Sequence, residues 1–283
     1  MGALRRAWKI AGCGIGELLD QPRFYLALLL PMAFAGYHVS TWWRGSMVMG
    51  QPFSVFEPIV HFFSNRYMMV VYFNALFLVL CDAPFYTAFD SFLLMRSSRN
   101  QWYVGKCLQV ILFSLLYAVA VVLFGLLCAL PFSYLGNLWS VVGQRMTQDS
   151  FGVFTGIIMP LPGGYLNNLR PFSALMFSAG LWWLYSCALS LAALAANLYF
   201  KRWMGTALVM AVNLLGLLLV SMNNTALIGY HPACFVLLQN VRTDVFWGFS
   251  SYGQVTLMFV ALSVVFVLIG NAKARRYALE VAP

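Results

Sequence analysis

The sequence predicts an all-α polytopic membrane protein with six transmembrane helices and both termini cytoplasmic. Three observations carry that expectation. Hydrophobic residues make up 62% of the chain and charged residues only 9%, against roughly 25% charged in a soluble domain. Six continuous apolar runs each approach the roughly 20 residues needed to cross a bilayer. Lysine and arginine are divided unequally between the two sides that those runs define. A water-soluble chain of this composition exposes apolar patches and aggregates, whereas lipid tails solvate the same surface.

The runs cover residues 24–43, 67–89, 108–130, 172–196, 203–222 and 252–270. Each must satisfy its own N–H and C=O groups in lipid, so each is expected to be a helix. A β-barrel needs alternating strands of roughly 10 residues instead. No other region is long enough for a second domain, so 1–283 reads as a single transmembrane domain. The first run begins at Phe24 and lacks a small-residue cleavage site, so it reads as a retained span.

Residues 1–23 read as an amphipathic lead helix lying in the inner interface. At 100° per residue, Leu4, Trp8, Ala11, Ile15, Leu18 and Leu19 share one face. Arg5, Arg6, Lys9, Glu17 and Asp20 share the other, with the basic residues toward water. Ile10 does not fit this division. Gly12, Gly14 and Gly16 each weaken a helix by up to about 1 kcal/mol. The GCGIG run follows no strand and lacks the Lys-Ser/Thr of a phosphate-binding loop, so it is not read as one.

Orientation follows from charge. Arg44, Arg66, Arg145, Arg170 and Arg242 fall on one side, and the other twelve of the 17 Lys and Arg fall with the termini. The positive-inside rule makes the latter side cytoplasmic, and the chain is expected in the cell membrane. The net charge of +9 therefore reads as anchors facing anionic lipid headgroups rather than as a nucleic-acid surface. Trp8, Trp102 and Trp203 are expected near the inner interface, and Trp42, Trp43, Trp139 and Trp247 near the outer one.

Two apolar pieces are too short to span. Segments 151–161 and 225–238 fit either re-entrant pieces or packing against the outer ends of the spans. The Asn223-Asn224-Thr225 triplet matches a glycosylation acceptor, which alone is a weak signal. Cys81, Cys107, Cys128 and Cys187 fall in or at spans, Cys13 in a cytoplasmic segment and Cys234 in an external loop. That arrangement does not suggest a disulfide framework.

Few residues suggest chemistry. The sequence holds no HExxH, no GxSxG elbow and no nucleotide-binding loop. His38, His61 and His231 are scattered toward the outer side, so a metal site is not expected. Asp82 lies within the second run, where a charge is expensive and functional by default. Pro84 must disturb the helix beside it, and Asn74 lies two turns earlier. These residues fit a polar seam along a transport path or a structural bond that locks the helix in the bundle, and the second reading is preferred. Asn213, in the fifth run, is a further polar candidate. Asp90 is expected at the inner boundary, in solvent. Ala188, Ala192 and Ala196 form a small-residue stripe that permits close helix approach. The connection between the second and third runs mixes Arg96, Arg99 and Lys106 with Phe92, Leu93, Leu94, Trp102 and Tyr103. Anchoring accounts for the charges. The interleaved apolar residues suit a short helix at the interface that touches protein from below.

Taken together, three features resemble the permease subunit of a type-2 ABC exporter. They are the amphipathic lead running into QPRFYLALLLP at 21–31, the RSSRNQWYVGK stretch at 96–106, and the layout of six spans with a long semi-apolar loop before the last. The family often has a glutamate near the inner end of its second span, where this chain offers Asp82 or Asp90. The resemblance implies that two such permeases pair, as a homodimer or with a paralogue. It implies that each contacts a separate ATP-binding cassette ATPase, which would hold the ATP and magnesium. Arg96, Arg99, Trp102 and Lys106 would form the coupling helix, braced by the lead helix with Arg5, Arg6, Trp8 and Lys9. Asn74, Asp82 and Asn213 would line the path. The implied substrate is an amphipathic peptide, lipid-like molecule or drug, and the chain itself would be no enzyme. A membrane-embedded enzyme acting on lipids and a stand-alone secondary transporter are the alternatives.

Overall fold

The computed structural model describes residues 2–85, 98–148, 161, 169–200, 203–221, 231–241 and 252–275. The described chain is predominantly helical. Its helices are α1 (Gly2–Leu19), α2 (Pro22–Met49), α3 (Glu57–Ser64), α4 (Arg66–Leu80), α5 (Arg99–Ala129), α6 (Val141–Arg145), α7 (Pro171–Tyr199), α8 (Met204–Ser221) and α9 (Tyr252–Ala274). Four of them, α2, α5, α7 and α9, are long and apolar enough to cross a bilayer. The bent pair α3–α4 makes a fifth if counted as one, and Met204–Gly216 in α8 is a shorter apolar stretch.

Local chemistry sets the helix ends. Proline opens α2 and α7 at the first helical positions, where its missing N–H costs nothing. Ser98 and Gln101 close a reciprocal capping box that starts α5 nine residues before the apolar run. Gly50, at φ 63°, ends α2 in the left-handed conformation. The second run is not one continuous helix. Helix α4 ends at Leu80, and residues 81–85 form turns around Pro84. Asp82 therefore lies beyond the end of α4. At its other end α4 meets α3 at an 80° bend at Asn65, whose side chain caps the Tyr67 N–H.

Helix α7 is the central element and packs on α3, α4, α5, α8 and α9. Its Trp182 is fully buried and meets Phe63 at 4.8 Å, Tyr72 at 5.1 Å and Phe73 at 5.5 Å between ring centroids. Tyr117 of α5 ties this cluster to α2. Pro31 has no N–H, so the Ala27 carbonyl one turn earlier loses its helical donor. The Tyr117 hydroxyl donates to that carbonyl at 3.0 Å. A freed backbone acceptor inside an apolar bundle is thus satisfied by a neighbouring helix.

Helix α1 packs along the start of α5. Its buried face is Ala7, Ile10, Ala11, Gly14 and Leu18, while Trp8 and Leu19 are exposed. This corrects the two-face division: Ile10 is at the centre of the protein contact. The helix has three sectors, one against α5, one apolar and outward with Trp8, and one basic with the exposed Arg5, Arg6 and Lys9. Gly105 makes the approach possible. A methyl group there would lie 2.8 Å from Ile10 and 3.2 Å from the Ala7 carbonyl. Gly105→Ala gains about 1 kcal/mol of helix propensity but forces two helices apart, at about 1–3 kcal/mol. The expected result is faster tryptic cleavage at Arg5, Arg6 and Lys9; unchanged cleavage would show that the contact tolerates the methyl.

A cap closes the end of the bundle away from α1. Two short parallel strands, β1 (Phe53–Ser54) and β2 (Ser133–Tyr134), join the α2–α3 connection to the stretch after α5. Glu57, fully buried, fastens them. Its carboxylate accepts the Ser140 N–H at 2.5 Å, the Ser140 hydroxyl at 2.6 Å and the Ser54 N–H at 3.2 Å. All three donors lie in connections, outside the spanning segments. Burial raises the Glu57 pKa to about 7 despite these bonds, which pull it down.

The tryptophans divide differently from a simple two-belt arrangement. Trp8 and Trp203 are exposed, whereas Trp42 and Trp102 are buried in the protein core. Trp42 donates to His61 Nδ1 at 3.1 Å. Trp247 lies outside the described residues.

Candidate functional site

Two places on the fold can bear function: a junction of helix ends beside α1, and a cavity on the far face of α7. The junction is built around the turns after α4. Lys106 of α5 donates to the Phe85 carbonyl at 3.0 Å. Asn197, near the end of α7, donates to the Ala83 carbonyl at 2.7 Å and to the Thr206 hydroxyl at 2.7 Å. Its Oδ1 accepts the Thr206 N–H at 2.8 Å, capping the first turn of α8 from outside that helix. The Thr206 hydroxyl reaches the Leu80 carbonyl at 3.3 Å. Arg23, at the start of α2, forms an ion pair with Asp82. Four helices thus converge on one short segment, and each supplies a polar group that its apolar surroundings leave no water to satisfy. The Arg23–Asp82 pair is the exception: both side chains are more than a third exposed, so it contributes at most about 1 kcal/mol.

The same junction reaches α9. Arg99 donates to the Arg275 carbonyl at 3.1 Å and Tyr199 to the Ile269 carbonyl at 3.2 Å. Lys273 stands over the Tyr199 ring at 5.3 Å. Gly270 lies where Tyr103 crosses α9, and any side chain there would strike the phenol.

The residues expected to couple to a partner fall out unevenly. Arg99 is exposed. Trp102 and Lys106 are buried, at 3% and 2% exposure. Both are occupied within the chain. Arg96 and Asp90 lie outside the described residues, as do Phe92, Leu93 and Leu94. The surface left at the start of α5 is Ser98, Arg99, Asn100 and Val104.

The cavity lies between α7, α8 and α9 and has a volume of about 480 Å³. The alanine stripe is its floor: Ala188, Ala192 and Ala196 all line it. Small side chains here leave space rather than closing a helix contact. Tyr185 and Asn213 form its polar spot, the tyrosine donating to Asn213 Oδ1 at 2.8 Å. His231 and Pro232 close one end. His231 Nδ1 accepts the Ala233 N–H at 3.2 Å, and burial lowers its pKa. Leu208, Val212 and Ile269 are lining residues about half exposed, so the cavity opens sideways between α8 and α9.

Asn213 lines this cavity, and Asn74 and Asp82 do not. Asn74 sits half-buried on α4 with its Oδ1 unbonded. His38 and His61 do meet, ring edge to ring face at 5.0 Å, while His231 is separate. Among the described residues no three His, Cys, Asp or Glu side chains are grouped to hold a metal ion. Every described cysteine is a free thiol. Segment 225–238 is described from His231, as short 3-10 turns packed on α7 and α8. Of segment 151–161 only Leu161 is described; it is buried and bonded to Met146.

Asn197 and Thr206 carry the junction yet do not stand out in the sequence. Each is one polar residue near the end of an apolar run, a position where solvated polar residues are ordinary.

No protein-family model matches the chain, and no curated protein matches it either.

Proposed function

We propose that the chain is the permease subunit of an ATP-driven exporter, paired with a second permease and powered by a separate ATPase at its cytoplasmic side. In this reading α2, α4, α5, α7, α8 and α9 are the six spans, α3 belongs to the outer cap, and the α1 side is cytoplasmic. The observation that carries the reading is the junction. The start of α5 touches α1, the turns after α4 and the end of α9, while those turns also hold the ends of α7 and α8. A push on the exposed turn at Ser98–Asn100 therefore reaches the ends of five other helices through bonded contacts. That is the mechanical requirement for nucleotide-driven switching between two states. The three sectors of α1 fit a helix lying in the inner leaflet with Trp8 toward lipid and its basic residues toward headgroups.

The test is isolation from native membranes in mild detergent, followed by identification of co-purifying chains. A stoichiometric ATPase with a Walker A loop is the expected companion. Arg99→Glu is expected to lower its recovery about tenfold, or about 1.4 kcal/mol, with folded permease yield unchanged, because Arg99 is exposed. Absence of any ATPase with ATP analogues present would overturn the reading and favour a lipid-active enzyme or a stand-alone transporter.

A further inference from the structure

We propose that the cavity between α7, α8 and α9 binds an uncharged, mostly apolar molecule that places a carbonyl or ether oxygen against Asn213. Asn213 is 1% exposed, and its Nδ2 has no hydrogen-bond partner. In the structure Tyr185 donates to Oδ1, which leaves the NH2 group as the free end of the amide. A buried donor without an acceptor costs about 1–3 kcal/mol. The side chain lines a cavity whose volume is typical of ligand pockets, roughly 300–1,000 Å³.

The rest of the lining defines the ligand. None of the described lining residues is Asp, Glu, Lys or Arg, so an ionic group among them would be unpaired and strongly disfavoured. The body of the ligand faces alanine methyls, Leu189, Val209, Leu262 and Phe266. Depth then separates two lipid-like classes. Asn213 lies nine residues into α8, about 14 Å along its axis at 1.5 Å per residue. That is near the middle of a hydrocarbon core about 30 Å thick. A phospholipid keeps its ester oxygens at the interface, so its tail alone would leave Nδ2 unbonded. A molecule with an oxygen inside its apolar body would satisfy it. The sideways opening past Leu208, Val212 and Ile269 gives entry from the lipid phase without passage through water.

This inference rests on the transport reading only for purpose, that the bound molecule is cargo; binding is a property of this chain alone. The test places the full chain in phosphatidylcholine nanodiscs without any ATPase. A long-chain ketone carrying a diazirine labels the site, and 9-heptadecanone or heptadecane competes. The expected label falls on α7 or α8 at the cavity wall. The ketone is expected to compete about tenfold better than the alkane. Asn213→Leu should bring the two competitors within about twofold, and Ala192→Trp, which fills the floor, should abolish labelling. Ala196→Leu at the half-exposed rim repeats the filling test if tryptophan disturbs α7. Equal competition by ketone and alkane in the unaltered chain would overturn the proposal, as would label outside the cavity or undiminished label in both filled variants. Failure here leaves the ATPase result standing, and loss of the ATPase leaves ketone binding standing.

Discussion

Asn197→Leu is expected to destabilise the protein by about 3 kcal/mol, more than any single change on its surface. The leucine keeps the branch at Cγ but is larger, and its methyl groups replace atoms held 2.7–2.8 Å from their partners, so crowding adds to the loss. The main loss is polar. Three bonds, to the Ala83 carbonyl, the Thr206 hydroxyl and the Thr206 N–H, disappear together. The site is buried, with Asn197 and Thr206 each 3% exposed, so water does not replace them. Each orphaned backbone group costs about 1–3 kcal/mol, and the loss of a helix cap about 1 kcal/mol. Relaxation of the turn at Ala83 recovers part of the sum. Asn197→Asp is a graded control: it keeps an acceptor for the Thr206 N–H but has no donor for Ala83. Chemical denaturation in detergent should rank the three proteins Asn, Asp, Leu in falling stability. A leucine variant within about 0.5 kcal/mol of the original would mean that the junction is not held by this side chain.

How legible was this in the sequence? The helices were visible as apolar runs, because lipid demands both length and internal bonding. Some ends were legible as well. The Ser98 and Gln101 capping box and the proline at the start of α7 are readable signals. Which face of each helix meets protein was not legible. In water, buried and exposed positions differ in polarity, but in lipid both are apolar. In α9 the exposed Leu257, Val264 and Leu268 are as hydrophobic as the buried Val255 and Phe259. The same blindness hid the burial of Trp102 and made Ile10 look misplaced, although Ile10 faces Gly105. The alanine stripe was legible as small side chains, but not as a cavity floor. Whether small residues admit a neighbouring helix or leave a gap depends on how α8 and α9 diverge across α7, and that is set by contacts far apart in sequence.

The cap offers the second large effect, and its sign is informative. A carboxyl group whose pKa is about 4.5 in the unfolded chain and about 7 in the cap binds its proton more tightly when folded. Stability therefore falls as pH rises between those values. The contribution is fully present below about pH 4.5 and is lost as pH passes through about 7. Bonding survives in both states. The ionised carboxylate accepts from Ser54 and Ser140. The protonated form can turn its own O–H toward the Ser140 hydroxyl, which also accepts the Gly143 N–H at 2.9 Å. What differs is the charge: a carboxylate held at 0% exposure with no cation among its bonded partners. Hydrogen exchange at Ser54, Val55 and Gly143 should quicken from pH 5.5 to 7.5 beyond the intrinsic change with pH. Glu57→Gln keeps the shape and cannot ionise, so its corrected exchange should be flat over that range. The glutamine also turns one acceptor into a donor facing either Ser54 N–H or Ser140, and its cap should be looser than the protonated glutamate at pH 5.5. A pH profile that persists in the glutamine variant would place the titrating group elsewhere than Glu57.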